Sequence, residues 1–198
     1  MTKCDKLLYM KIAVYCGAAS GADPSFTDAA RTLGGWIAEN SHELIYGAGK
    51  VGMMGAVADA VLKKGGLVTG VIPQFMIDLG WCHEGLTDCI VTQDMSARIR
   101  LMCDMADATI ALPGGAGTLE EISCMFSWQR LGLNDSPIIL FNTKGYYEPL
   151  RTMYDSMVSA GYLDRESLER LLFSDSLTEI ADFIASFEKK GRLASGGY

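Results

Sequence analysis

Residues 111–121 read ALPGGAGTLEE: an apolar run breaks into three glycines and a threonine, and a helix then begins with two carboxylates. Glycines after a strand let backbone N–H groups approach an anion, and the positive end of the following helix adds to the attraction. Gly114, Gly115 and Gly117, with the Thr118 hydroxyl, form a candidate phosphate or ribose-phosphate site. Glu121 has two readings. In T-x-x-E it closes a capping box, with Thr118 as N-cap and Glu121 at N3. As a carboxylate in the first turn beside a phosphate loop, it could instead face a bound sugar.

A second glycine loop, GAGKVG at 47–52, makes Gly47 and Gly49 candidates for the same kind of contact. Its G-x-G-x-x-G spacing is by itself a weak dinucleotide signal. It follows the second strand rather than the first, and no acidic residue ends the next strand to hold a ribose. Neither loop ends in lysine followed by serine or threonine, as a Walker loop requires. Arg98 is the third candidate. On a helix over 95–106 it falls inside the apolar arc of Met95, Ile99, Met102, Met105 and Ala106, whereas Arg100 falls opposite. An arginine there is costly unless it meets an anion or extends to water. Met53 and Met54 read as core, Trp128 as core or interface, and Lys50, His83 and Glu84 as surface groups.

The elements that must position these residues alternate. Strands are expected at 11–16, 43–47, 67–73, 87–93, 108–113 and 136–142. Helices are expected from Pro24 to Asn40, with Asp23 as N-cap, and over 53–64, 95–106 and 118–132; residues 74–86 read as irregular. From Tyr146 the pattern reads as helices ending in a polar tail. Strand–helix alternation implies right-handed βαβ units, so the expected class is α/β: a three-layer Rossmann-like fold with a parallel sheet and helices on both faces. With no repeat or linker, residues 1–198 read as one domain with its core at about 11–187. Both glycine loops then fall at the carboxyl ends of strands, where ligands bind in such folds.

Composition narrows the function further. The 198 residues carry a net charge of −7, which argues against a broad nucleic-acid footprint. The six cysteines, Cys4, Cys16, Cys82, Cys89, Cys103 and Cys124, form no C-x-x-C pair, and the two histidines, His42 and His83, are far apart. A zinc site of the usual spacing is absent, and a reduced, cytoplasmic protein is expected. The start, KLLYMKIAVYCGAASGA, looks like a signal segment, but Lys11 interrupts it and it reads as a first strand. No run is long enough to cross a membrane.

LPGGAGTLEE matches P-G-G-x-G-T-x-x-E, MSARIRLM matches part of M-x-x-R-K-x-x-M, and YGAGKVGMMG is similar to Y-G-G-G-x-x-G-L-M-G; GVIP and GYYEPL also fit. Over residues 11–187 the chain resembles the LOG (Lonely Guy) family, often labelled lysine decarboxylase-like. The resemblance implies a Rossmann-like homodimer that cleaves a nucleoside 5′-monophosphate, AMP or a cytokinin riboside 5′-monophosphate, to free base and ribose 5-phosphate. It maps catalytic roles onto Arg98 and Glu121, and phosphate binding onto Gly114, Gly115, Gly117 and Thr118. No metal or organic cofactor is required. Ile99, Ala48, Ala18, Ala19 and Arg130 depart from the family pattern and leave the base open. Three other readings stand beside this one: a nucleotide-binding module without turnover, a nicotinamide-dependent enzyme, and a lysine decarboxylase with Lys50 as the pyridoxal phosphate lysine.

Overall fold

Along the first strand, alternate residues feed two separate cores. Ile12, Val14 and Cys16 join one, whereas Ala13 and Tyr15 join the other. A strand buried on both faces needs cover on both, and its near-continuous apolar sequence follows from that. A computed structural model describes residues 9–189; Cys4, the signal-like residues before Tyr9 and the polar tail from 190 lie outside them.

The order is β1 (Lys11–Tyr15), α1 (Pro24–Glu39), β2 (Glu43–Tyr46), α2 (Gly52–Lys63), β3 (Leu67–Pro73), α3 (Gln74–Asp78), β4 (Asp88–Thr92), α4 (Met95–Met105), β5 (Ala108–Ala111), α5 (Ala116–Arg130) and β6 (Ile138–Leu140). A 3₁₀ turn (Thr143–Gly145), α6 (Glu148–Ser159), α7 (Arg165–Glu169), β7 (Leu171–Phe173) and α8 (Leu177–Ser186) follow. All seven strands are parallel, in the order β4-β3-β2-β1-β5-β6-β7. The chain winds outward from β1 to β4, then returns to the other side of β1 with β5. Loops leaving β1 and β5 therefore diverge, and a crevice opens at the carboxyl ends between them.

On one face α1, α2 and α8 cover the sheet through Leu33, Ile37, Val57, Val61, Ile180 and Ile184. On the other, α4, α5 and α6 do so through Met102, Ile122, Met125 and Tyr154. The α/β class and its three layers match the sequence expectation. Two elements do not. Residues 74–78, expected to be irregular, form α3, a turn and a half that buries none of its residues. The stretch after Tyr146 holds β7 as well as helices. Three residues are too few to show strand periodicity, and pairing with β6 alone makes them a strand.

Helix α1 starts as its sequence dictates: the Asp23 carboxylate accepts from the Ser25 N–H at 2.9 Å, and Pro24 occupies the first turn. It packs closely on α2 at Gly34, where a Cβ would lie 2.5 Å from the Val57 carbonyl oxygen. At neighbouring Gly35 a Cβ would meet only the flexible end of Lys64, at 3.2 Å. Gly34→Ala should therefore destabilise the protein by about 1–3 kcal/mol through overpacking. Gly35→Ala should be neutral or stabilising by up to about 1 kcal/mol through helix propensity. Urea unfolding midpoints of both variants test this, and equal midpoints would refute the close helix contact.

Candidate active site

Helix α4 begins at an N-cap built by Asp94, whose carboxylate accepts from the Ala97 N–H at 2.8 Å. That start sets the phase of the helix, and Arg98, Ile99, Met102 and Cys103 face the interior. Arg98 is only 4% exposed. Its Nη2 donates to Glu121 Oε1 at 3.0 Å, an ion pair whose side chains are 5% and 7% exposed. Arg100, on the other side of the helix, is exposed and stacks over Trp128.

The pair leaves much of the guanidinium unused. Among the described residues Nη1 meets only the Met76 and Met95 sulfurs, at 3.6 and 4.0 Å, and thioethers are weak acceptors. Nε is buried with no partner. Arg98 lines a cavity of about 280 Å³ whose other walls include Gly47, Gly49, Lys50, Met54, Met76 and Trp81. An almost apolar cavity with Arg98 and Lys50 among its walls suits a flat, largely apolar ligand that carries a few acceptors.

Glycine is needed at 47 for this arrangement. A Cβ there would sit 2.3 Å from Arg98 Nη2. The next residue, Ala48, holds φ at 58°, the left-handed region where glycine is at ease and other residues are strained. The Trp81 wall is hung from the same loop. Lys50 N–H donates to Trp81 O at 3.2 Å, His83 N–H donates to Ala48 O at 2.8 Å, and Gly49 bridges to Cys82.

Beside it lies a second cavity of about 340 Å³, lined by Gly17, Ala18, Ala19, Phe26, Gly114, Gly115 and Tyr146 among others. Ala18 borders both cavities. An open groove of about 690 Å³ between α1 and α2 is larger, but neither Arg98 nor Glu121 lines it.

Helix α5 starts earlier than T-x-x-E implies. Its N-cap is Gly115, which provides no side-chain cap, and the first helical residue is Ala116. Thr118 is therefore inside the first turn and Glu121 in the second, so the capping-box reading of both is wrong. The reason is tertiary. Thr118 is buried under Gly114, where a Cβ would be 2.1 Å from its Oγ1, and the Glu121 carboxylate is drawn to Arg98. Gly114 and Gly115 line the second cavity; Gly117 and Thr118 are not among the residues lining either.

Glu121 itself sits behind Arg98 rather than in a cavity wall. Burial pushes its carboxyl up to about 7, against the pull of the Arg98 guanidinium; Glu120 adds a smaller push upward. Its charge also contributes, after burial, to the raised Tyr15 hydroxyl and Cys16 thiol at the carboxyl end of β1. A carboxylate poised between charge states near neutrality, beside an arginine and two cavities, is a candidate for proton transfer or for stabilising positive charge.

Sequence reasoning missed Gly17, Phe26, Met76, Trp81 and Tyr146, and assigned Met54 to the core although it lines the first cavity. These come from five different segments, and only the β1–β5 crevice brings them together. The departures from the family pattern have places too. Ile99 is buried in the α4–α5 core, Ala18 and Ala19 line the cavities, and Arg130 pairs with Asp164 at 3.7 Å. His83 bonds Asp59 at 3.0 Å, and Lys50 is exposed.

The family model described as "Possible lysine decarboxylase" matches residues 54–184. The chain is 36% identical over 183 residues to cytokinin riboside 5′-monophosphate phosphoribohydrolase LOG7 of Arabidopsis thaliana, covering 92% of this chain and 84% of that protein. It is 38% identical over 162 residues to the cytokinin riboside 5′-monophosphate phosphoribohydrolase of Rhodococcoides fascians, covering 81% and 82%. The molybdenum cofactor binding protein of Rippkaea orientalis has a similar structure, with a TM-score of 0.68 at 22% identity over 91% of this chain and 98% of that one. At that identity the likeness concerns the fold alone.

Removing Arg98 should expose the cost of a buried carboxylate. Arg98→Met is expected to lose about 3–5 kcal/mol at pH 8, because Glu121 is left buried and unpaired. The sign with pH follows from its raised pKa. Above the ordinary 4.5 the unfolded chain has released the proton while the folded chain holds it up to about 7, and higher still without Arg98, so stability falls as pH rises. The deficit relative to the parent protein should shrink at pH 5.5, where Glu121 is protonated in both proteins. Urea unfolding at the two pH values measures it, and a deficit independent of pH would contradict the ion pair's electrostatic role.

Proposed function

The chain belongs to the LOG family, and from that membership we infer that it is a phosphoribohydrolase: it cleaves the N-glycosidic bond of a nucleoside 5′-monophosphate, AMP or a cytokinin riboside 5′-monophosphate, to free base and ribose 5-phosphate. The observation that carries the reading is the buried Arg98–Glu121 pair, whose arginine lines the first of two adjoining cavities of different character. The apolar cavity suits a base. The cavity lined by Gly114 and Gly115, at the start of α5, suits a phosphate through backbone N–H groups and the helix dipole. Gly117 and Thr118 complete that helix start, and Gly47 and Gly49 border the base and ribose.

Breaking the C1′–N bond sends its electron pair to the base and builds positive charge on the ribose. Glu121 stabilises that charge or takes a proton from the attacking water, whose oxygen becomes the C1′ hydroxyl while a proton ends on the released base. Arg98 holds Glu121 through Nη2, and its Nη1, met by weak sulfur acceptors, is left to turn to the nucleotide. Binding the remote phosphate orients C1′ against these groups.

The model's description, possible lysine decarboxylase, fits the site less well. A Schiff-base lysine works desolvated, whereas Lys50, the lysine of the glycine loop, is exposed, and no lysine is buried among the described residues. We also propose that the protein is a cytoplasmic homodimer. No disulfide joins the described cysteines, and no helix among the described residues is long and apolar enough to cross a membrane. Phe75, Leu79, Trp81 and Val91 expose apolar surface around the β4 edge.

Ribose 5-phosphate release from AMP, N6-substituted AMP and adenosine tests the reading. AMP or its N6-substituted form should be cleaved and adenosine much less; equal cleavage of adenosine would sink the phosphate assignment. Tight AMP binding without base release would indicate a nucleotide-binding module instead. Glu121→Gln should lower turnover by about 10²-fold or more; its amide oxygen can still accept from Arg98 Nη2, so the fold is kept at reduced stability. Because the carboxylate form is the active one, kcat/KM of the parent protein should rise with pH and level off above about 7. In the glutamine variant that limb should vanish. Light scattering at micromolar concentration should give twice the chain mass, and a single-chain mass would refute the dimer.

A further inference from the structure

After β5 three consecutive carbonyls are each held by a donor. Tyr147 Oη donates to Leu112 O at 2.7 Å, Gly17 N–H donates to Pro113 O at 3.2 Å, and Tyr146 Oη donates to Gly114 O. In a trans peptide the C=O and the next N–H point in opposite directions. Holding Pro113 O therefore aims the Gly114 N–H, and holding Gly114 O aims the Gly115 N–H. Holding Leu112 O aims nothing, because Pro113 has no N–H.

Neither N–H so aimed has a protein acceptor among the described residues, and both glycines line the 340 Å³ cavity. The Gly114–Gly115 peptide has no Cβ on either side, so a flip that turned its N–H away would meet little steric resistance. Its orientation depends on what holds the carbonyl. That group comes from 32 residues along the chain, and its own placement is braced. The Tyr146 ring packs edge-on against Phe26 and Tyr147, at 5.6 and 5.1 Å, and Lys144, with φ at 53°, pairs with Asp23 at 2.6 Å.

We propose that Tyr146 is a positioning residue for the phosphate: its hydroxyl fixes the Gly114–Gly115 peptide so that the Gly115 N–H faces the cavity and is ready to meet a phosphate oxygen. Tyr147, the next residue, makes a similar bond to Leu112 O but only supports the fold. The inference rests on the reading of this cavity as the phosphate site of a phosphoribohydrolase.

Tyr146→Phe removes the hydroxyl and keeps the ring; Tyr147→Phe is its control. Calorimetric titration with ribose 5-phosphate reads phosphate binding without turnover, and AMP kinetics reads the rest. Tyr146→Phe should weaken ribose 5-phosphate binding about 3–10-fold, the scale of one hydrogen bond. It should raise the KM for AMP to match, with kcat within about twofold and the melting temperature unchanged. Tyr147→Phe should lower the melting temperature and leave the affinity alone. Unchanged affinity in Tyr146→Phe, a loss confined to its stability, or an equal loss of affinity in both variants would overturn the proposal. If the parent protein binds ribose 5-phosphate, and Tyr146→Phe weakens that binding, while AMP is never cleaved, the positioning role stands and the hydrolase reading falls.

Discussion

The buried ion pair between Arg98 and Glu121 is the constraint around which the site is built. Two charges less than a tenth exposed lose most of their hydration, and their attraction recovers that loss only with good geometry. An apolar pair of similar size would hold α4 and α5 together as well or better, so stability is a poor reason for having it. The surrounding sequence gives way to it. Gly47 lacks a side chain where the guanidinium passes, and Ala48 accepts a left-handed backbone beside it. Helix α5 takes its start from the backbone of Gly115, leaving Glu121 free to turn inward.

Sheet order then decides what the pair can reach. The switch between β1 and β5 parts their loops, and the gap is filled from below by Arg98, from one side by the β2–α2 loop and from the other by Pro113–Gly115. One cavity is almost apolar, with Arg98 and Lys50 as its cationic residues; the other is framed by backbone and aromatic rings. A molecule with a flat apolar end and an anionic end matches that division, and a nucleoside monophosphate has both, joined by the sugar that carries the scissile bond.

The aromatic residues near the second cavity bear on how its glycine loop is oriented. Glycine permits close approach of N–H groups to an anion but does not choose their direction. Direction comes from the carbonyl side of each peptide, through Gly17 on Pro113 O and Tyr146 on Gly114 O. Flexibility at Gly114 and Gly115 and rigidity at Phe26, Tyr146 and Tyr147 are complementary parts of one device.

Much of this was legible in the sequence because it is periodic or local. Apolar strands alternating with amphipathic helices specified a covered parallel sheet, Asp23-Pro24 marked the start of α1, and the phase of residues 95–106 put Arg98 on the inner face. The glycine loops announced themselves by composition. What stayed hidden depends on contacts distant in sequence. T-x-x-E is a sound local pattern for a helix start, yet the partner of Glu121 is an arginine 23 residues earlier, and a buried carboxylate must meet that arginine rather than close a cap. β7 is a strand only because β6 lies beside it. Trp81, Met76, Phe26 and Tyr146 carry no pattern that separates a cavity wall from a core or surface residue. Sequence determined the elements, the loops and the candidate charges; the tertiary structure alone decided which of them meet, because the crevice exists only where β5 returns across β1.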